Sequence, residues 1–174
     1  MKRISIFMLL IIFYFLVSFS IFGHETNKNV ISVGVNLSDI FPPNIDIFYR
    51  PGLSMEYERL FNNYFSMGLG IGSNMTLLPY GEIFGRYYPW SETFFIGIGL
   101  GLMYVWGLPV AGGVIKPKLS PKISSEIGWK IPIGKRKRWV IIPSFLALGF
   151  CYFDEQNSHI YGMYGFCLKI GRKF

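Results

Sequence analysis

Between Phe94 and Trp106 the chain keeps a strict period of two. Phe94, Ile96, Ile98, Leu100, Leu102, Tyr104 and Trp106 fill the even positions, and Gly97, Gly99 and Gly101 fill odd ones. Successive side chains of a strand point to opposite faces. The segment therefore reads as a strand with one bulky apolar face and one face of small residues. A helix would scatter the three glycines around its circumference and lose about 1 kcal/mol at each.

Seven more segments read as strands, six of them by the same alternation. Residues 30–37 set Ile31, Val33, Val35 and Leu37 against Ser32, Gly34 and Asn36. Residues 53–61 set Leu53, Met55 and Tyr57 against Ser54, Glu56 and Glu58, and Asn62-Asn63 follows as a tight-turn signal. Residues 64–72 set Phe65, Met67, Leu69 and Ile71 against Ser66, Gly68, Gly70 and Gly72. Residues 77–88 turn Tyr80, Glu82, Phe84, Arg86 and Tyr88 one way and Pro79, Gly81, Ile83, Gly85 and Tyr87 the other. Residues 122–131 oppose Ile123, Ile127, Trp129 and Ile131 to Lys122, Ser124, Glu126, Gly128 and Lys130. Residues 139–153 are apolar on both faces, and 160–174 alternate Tyr164, Phe166, Leu168 and Ile170 with Gly165, Cys167, Lys169 and Gly171. Strands of about eight to fifteen residues suit a tilted membrane strand, which needs roughly 9 to 11. The predicted fold is all-β, an eight-stranded antiparallel up-and-down transmembrane β-barrel.

Composition agrees. A chain of 174 residues supports one core. With 51% hydrophobic and 16% charged residues it would collapse rather than stay disordered, and two cysteines are too few for a disulfide scaffold. Met1-Lys2-Arg3, an apolar run over 4–17 broken only by Ser5, and small residues at Ser18, Ser20 and Gly23 form a secretory signal pattern. The expected organisation is a signal peptide over 1–23, cut after Ser20 or Gly23, and a barrel over 24–174. Loss of Lys2 and Arg3 lowers the formal charge from +7 to +5. The alternative is an uncleaved helical anchor with a periplasmic domain, for which the run falls short of the roughly 20 residues a span needs.

The connections 38–52 and 107–121 are long, 62–63, 73–76 and 89–92 are short, and 132–138 and 154–159 are intermediate. From a periplasmic N-terminus, outer connections should be long and inner turns short, and none of the inner turns predicted here is long. Aromatics gather at the ends: Tyr64, Phe65, Tyr87, Tyr88, Trp90, Phe94, Phe95 and Trp139 inside, Tyr104, Trp106, Tyr152, Phe153 and Tyr161 outside. Two girdles at the headgroup levels are expected.

Eight strands enclose a space that side chains fill. The faces opposite the greasy ones carry Glu56, Glu58, Glu82, Arg86, Lys122, Glu126, Lys130 and Lys169, four acids and four bases. Charges inside a sealed barrel must be paired, because desolvation costs several kcal/mol for each ion. A lumen charge network is expected, with Glu56 and Glu82 finding partners among Arg86, Lys122 and Lys130. An ion or proton path is the competing reading.

The signal pattern, the eight amphipathic strands and the terminal Phe174 together resemble the small outer-membrane β-barrels of Gram-negative-type bacteria. The OmpX-like proteins and the OmpA membrane domain are nearest in design. The resemblance spans the mature chain and is one of pattern, so no functional residue is carried over. It implies an outer-membrane location among outer-membrane lipids. It also implies that Phe174, ending the run of Phe166, Leu168 and Ile170, is the signal for the barrel-assembly machinery. Arg172 stands where the group more usually has an apolar residue.

Motifs with chemical potential read as structure. The glycines of 68–72 and 97–101 resemble phosphate loops, but they lie inside strands and no helix follows. Ser158 and His159 fall in the last predicted outer loop, and adjacent strand residues point apart, which is poor geometry for proton transfer. Catalytic residues, metal ligands and cofactors are all expected to be none, although some barrels of the resembled group modify lipid A. For Cys151 and Cys167, a turn centred between Gln156 and Asn157 would pair Cys151 with Gly162. Cys167 would then lie roughly 17 Å away, too far for a bridge, so two free inward thiols are expected. The run Lys135-Arg136-Lys137-Arg138 sits at an inner turn and suits headgroup phosphates or an anionic periplasmic partner rather than nucleic acid.

The expected role is structural or surface interaction, not a general pore. An extracellular or periplasmic protein partner would meet the outer connections through Phe41, Pro42, Pro43, Phe48, Lys116, Lys118 and His159. A barrel enzyme acting on lipid and a soluble periplasmic barrel with an apolar ligand inside are the alternatives. In the soluble barrel the greasy face of 94–106 points inward and Glu56, Glu82 and Lys130 face water.

Overall fold

The structure, a computed structural model, describes residues 28–41, 50–74, 78–90, 93–105, 109–110, 113–114, 118–153 and 158–174. The signal segment 1–23 and Pro42, Pro43, Phe48 and Lys116 lie outside the described residues. For 38–41, 50, 74, 109–110, 113–114, 118, 148, 150–153 and 158–161 the description is of backbone alone.

Eight strands follow one another around a closed barrel. They are β1 (Asn29–Phe41), β2 (Arg50–Leu60), β3 (Phe65–Asn74), β4 (Leu78–Tyr87) and β5 (Phe94–Val105). Then come β6 (Lys118–Trp129, resumed as Ile131–Ile133), β7 (Trp139–Phe153) and β8 (Ser158–Lys173). Each pairs antiparallel with the next, and β8 pairs with β1 from Val30↔Lys173 to Phe41↔Gly162. Closure leaves no strand edge, so every barrel strand finds a neighbour on both sides without water. A small hairpin, Pro109–Val110 against Gly113–Val114, lies between β5 and β6. Among the described residues no helix is long and apolar enough to cross a membrane. The strands do the crossing.

The faces decide between a membrane barrel and a soluble one. Val33, Ile98, Leu100 and Phe166 are 59%, 60%, 63% and 68% exposed on the outer wall, whereas Glu58 and Lys130 are 1% exposed inside. This inverts the pattern of a water-soluble protein, in which large apolar side chains gather inside. The outer wall is built for hydrocarbon, and the soluble ligand-binding barrel is excluded.

Several boundaries differ from the sequence reading. Phe41, assigned to a loop, ends β1 opposite Gly162. Lys118, also assigned to a loop, opens β6 opposite Val105. Ser158 and His159 begin β8 opposite Phe153 and Tyr152. The ladder continues past the apolar band, where hydrophobic alternation stops marking it. The sequence puts Pro121 at the end of a loop, yet it sits within β6 opposite Leu102. It lies one residue beyond Lys122↔Phe150, the last β6–β7 pair, so its missing N–H interrupts no ladder there. Pro143 lies beside the break in β6 at Lys130, between the pairs Ser144↔Gly128 and Ile141↔Ile131. There the Lys130 N–H turns away and donates to the Thr93 carbonyl at 2.5 Å.

The β7–β8 register also moves. Cys151 pairs with Ile160, not Gly162, and Cys167 pairs with Ser144. The cysteines therefore lie seven residues apart along the sheet. That is roughly 23 Å at strand rise. Cys167 is a buried free thiol.

Candidate functional site: a neutral ion-pair core in a plugged lumen

Inward parity on β2, β4, β6 and β8 brings the four acids and four bases together. Arg86 is the hub. Its Nη1 donates to Glu58 Oε2 at 2.8 Å, and its Nη2 donates to Glu56 Oε2 at 2.8 Å and Glu126 Oε2 at 2.5 Å. The guanidinium lies between the Phe84 and Phe95 rings, 4.4 Å and 4.6 Å from their centroids. Lys169 Nζ bridges Glu56 Oε1 and Glu126 Oε1, both at 2.6 Å. Lys130 Nζ reaches Glu58 Oε1 at 2.9 Å and Tyr88 Oη at 2.7 Å, and Tyr88 in turn donates to Glu58. Ser66 and Ser144 donate to Glu58 and Glu126, each at 2.6 Å. This cluster holds three carboxylates and three cations.

A separate pair stands further from the termini. Lys122 Nζ meets Glu82 Oε2 at 2.5 Å, Ser124 Oγ donates to the same oxygen at 2.8 Å, and the ammonium lies 3.7 Å from the Tyr80 ring centroid. Both sets are neutral. In a medium that charges both partners for desolvation, this neutrality and the added hydroxyl donors make the burial tolerable.

Apolar layers enclose the charges. Val30, Leu60, Tyr88, Phe95, Val140 and Ile142 form one buried cluster at the short-turn end. Toward the other end, Leu78, Met103 and Val105 are fully buried. Between the two ion sets a cavity of about 20 Å³ touches Glu56, Glu82, Arg86, Glu126 and Lys169. It has room for about one water.

Tyr88 and Phe95 correct the girdle reading. Both are buried on the inward face, because strand parity outranks position near a strand end. The ring of aromatics at the short-turn end is built instead from side chains of outward parity. Tilted ring contacts join Trp90 to Phe94, Phe94 to Trp129 and Phe65 to Tyr87, with centroids 5.2 Å, 5.4 Å and 5.0 Å apart. At the opposite end Tyr104 is exposed, and the side chains of Trp106, Tyr152, Phe153 and Tyr161 lie outside the described residues. The roles of Phe84 and Phe95 around Arg86 were legible only as inward parity. Nothing in the sequence links them to that arginine.

The glycines opposite the greasy faces make room for this core. A Cβ at Gly99 would stand 2.5 Å from Ser124 Oγ and 2.9 Å from Glu82 Oε2, whereas one at Gly81 would meet nothing within 4 Å. Gly99→Val is therefore expected to displace the Glu82–Lys122 pair and cost roughly 1–3 kcal/mol. Gly81→Val should cost far less. The urea midpoints of the two variants in detergent check this.

No protein-family model matches the chain, and no curated protein sequence matches it. Solved structures do match in fold. The N-terminal β-barrel domain of Pseudomonas aeruginosa OprF aligns over 86% of this chain and 100% of its own length, at 11% identity and a TM-score of 0.58. Neisserial surface protein A aligns over 87% of this chain and 100% of its own, at 9% identity and a TM-score of 0.55. A de novo designed transmembrane β-barrel aligns over 86% and 98%, at 10% identity and a TM-score of 0.50. With its apolar outer wall, the chain is an eight-stranded transmembrane β-barrel of the outer-membrane type.

Proposed function

We propose that this chain is a sealed outer-membrane barrel that acts through its surface and not through its lumen. The single observation behind this reading is the lumen itself. Its charges neutralise one another, and a layer of Val30, Leu60, Tyr88, Phe95, Val140 and Ile142 lies across its short-turn end. A channel for ions or small solutes needs a wetted path, and an apolar constriction opposes one. The long connections 42–49 and 106–117 are left as the parts free to meet a partner outside the cell. Phe41, Pro42, Pro43, Phe48, Lys116, Lys118 and His159 are the proposed contact residues, and Phe174 the proposed assembly signal. Phe174 ends the strand that closes the barrel, with its N–H donating to the Asn29 carbonyl at 3.0 Å. The reading assigns no catalytic step.

Two measurements test it. In planar bilayers the folded protein is expected to show no steady open channel, and a persistent conductance in most insertions would refute the sealed lumen. On intact cells, a membrane-impermeant amine reagent is expected to modify Lys116 or Lys118 and spare Lys135 and Lys137 until the cells are broken. The reverse pattern would place the long connections in the periplasm and end the surface reading.

A further inference from the structure

The outer wall carries a cation, Arg172, close to the short-turn end of the barrel. Arg172 has outward parity on β8 and lies between Ile31 of β1 and Trp139 of β7. Its guanidinium stands 5.9 Å from the Trp139 ring centroid. The acids whose side chains are described, Glu56, Glu58, Glu82 and Glu126, all point into the lumen. Beside Arg172 runs the turn between β6 and β7. Lys135, Arg136, Lys137 and Arg138 are all exposed there, and the turn is folded by Gly134 at φ 76° and Lys137 at φ 49°. The Lys173 N–H donates to the Arg138 carbonyl at 2.7 Å, which ties this turn to the end of β8. From Arg172 an apolar groove climbs the wall across the β1–β8 seam, lined by Ile31, Val33, Leu168, Ile170 and Phe174.

A basic end joined to an apolar groove on a lipid-facing wall matches an amphiphile with an anionic head. A soluble acidic protein could reach the turn but not Val33 or Leu168. We propose that this seam binds an anionic glycerophospholipid of the surrounding leaflet, its phosphate held by Arg172 and the 135–138 cations and an acyl chain laid along the groove. The site rests on the membrane-barrel reading and adds to it a ligand class and an address. Arginine suits the task, because its planar head can stack on Trp139 while offering paired donors to phosphate.

The test uses the full barrel in phosphatidylcholine vesicles with Trp90, Trp106 and Trp129 replaced by Phe, leaving Trp139 as reporter. A minor fraction of brominated phosphatidylglycerol or of brominated phosphatidylcholine is then added. The anionic quencher is expected to win by about fivefold for each cation engaged. Arg172→Gln should cut the preference by about that factor, replacement of 135–138 by serines should cut it by at least as much, and Arg172→Lys should keep more of it than Arg172→Gln. Equal quenching by the two lipids, or a preference untouched by Arg172→Gln, would overturn the site. So would full competition by soluble glycerol phosphate, which would mark a bare anion site. Exclusion of both quenchers with a doubled mass in detergent would overturn it too, in favour of a second copy on the groove. Gel mobility without boiling is read on the same samples. A sample with no heat-sensitive folded band would sink the membrane reading and the site together, while a folded barrel with equal quenching sinks the site alone.

Discussion

Replacing Arg86 with methionine is expected to destabilise the folded barrel by about 3–5 kcal/mol, the range for breaking a buried pair by removing one partner. Arg86 touches Glu56, Glu58 and Glu126 at once. Its loss leaves three buried carboxylates facing only Lys169 and Lys130. The size of the effect comes from the stranded charge more than from the lost attraction. The double variant Arg86→Met with Glu126→Gln restores neutrality, with Glu56 and Glu58 still matched by Lys169 and Lys130. It should recover a large part of the loss. Equilibrium unfolding in urea, with the barrel in detergent or thin vesicles, reads both numbers. A single variant as stable as the parent would mean the ion cluster carries no stability, and a double variant no better than the single would mean that charge balance is not what Arg86 supplies.

The sequence exposed this cluster as a list of residues and only part of its wiring, since Glu56 and Glu82 do take partners from Arg86 and Lys122. Period-two parity on 53–61, 77–88 and 122–131 put each acid and base on the inner side, and the equal numbers followed from counting. Which oxygen meets which nitrogen depends on stagger around the barrel, and that is set by register. Register is weakly written in strands that are apolar on both faces, such as residues 139–153. The same weakness displaced the β7–β8 hairpin, where Cys151 meets Ile160. Strand ends were misplaced for a different reason. Phe41, Lys118 and His159 stand in ladders that outrun the hydrocarbon, and above the membrane neither face needs to be greasy, so alternation fades while hydrogen bonding persists. Tyr88 and Phe95 failed the other way. Their position near a turn promised a headgroup ring, but parity sent them inward to close the lumen floor beneath Arg86.

The outer wall gives the sharpest contrast between water and lipid as the barrel's solvent. Leu100 lies in the middle of β5, between Ile83 of β4 and Ile123 of β6, and is 63% exposed. In water, arginine there would be nearly free, because an exposed position away from any special contact tolerates substitution within about 0.5 kcal/mol. In a bilayer the same change near the midplane costs about 2–4 kcal/mol, and the cost falls to about 0–1 near the interface. Leu100→Arg is therefore expected to lower stability in vesicles by the larger amount, and Tyr104→Arg, further toward the long-connection end of β5, by much less. The depth dependence matters more than either value, because a packing defect would follow local contacts and not distance from the membrane centre. Equal costs at the two positions, or no cost at either, would mean that the apolar wall is covered by something other than hydrocarbon.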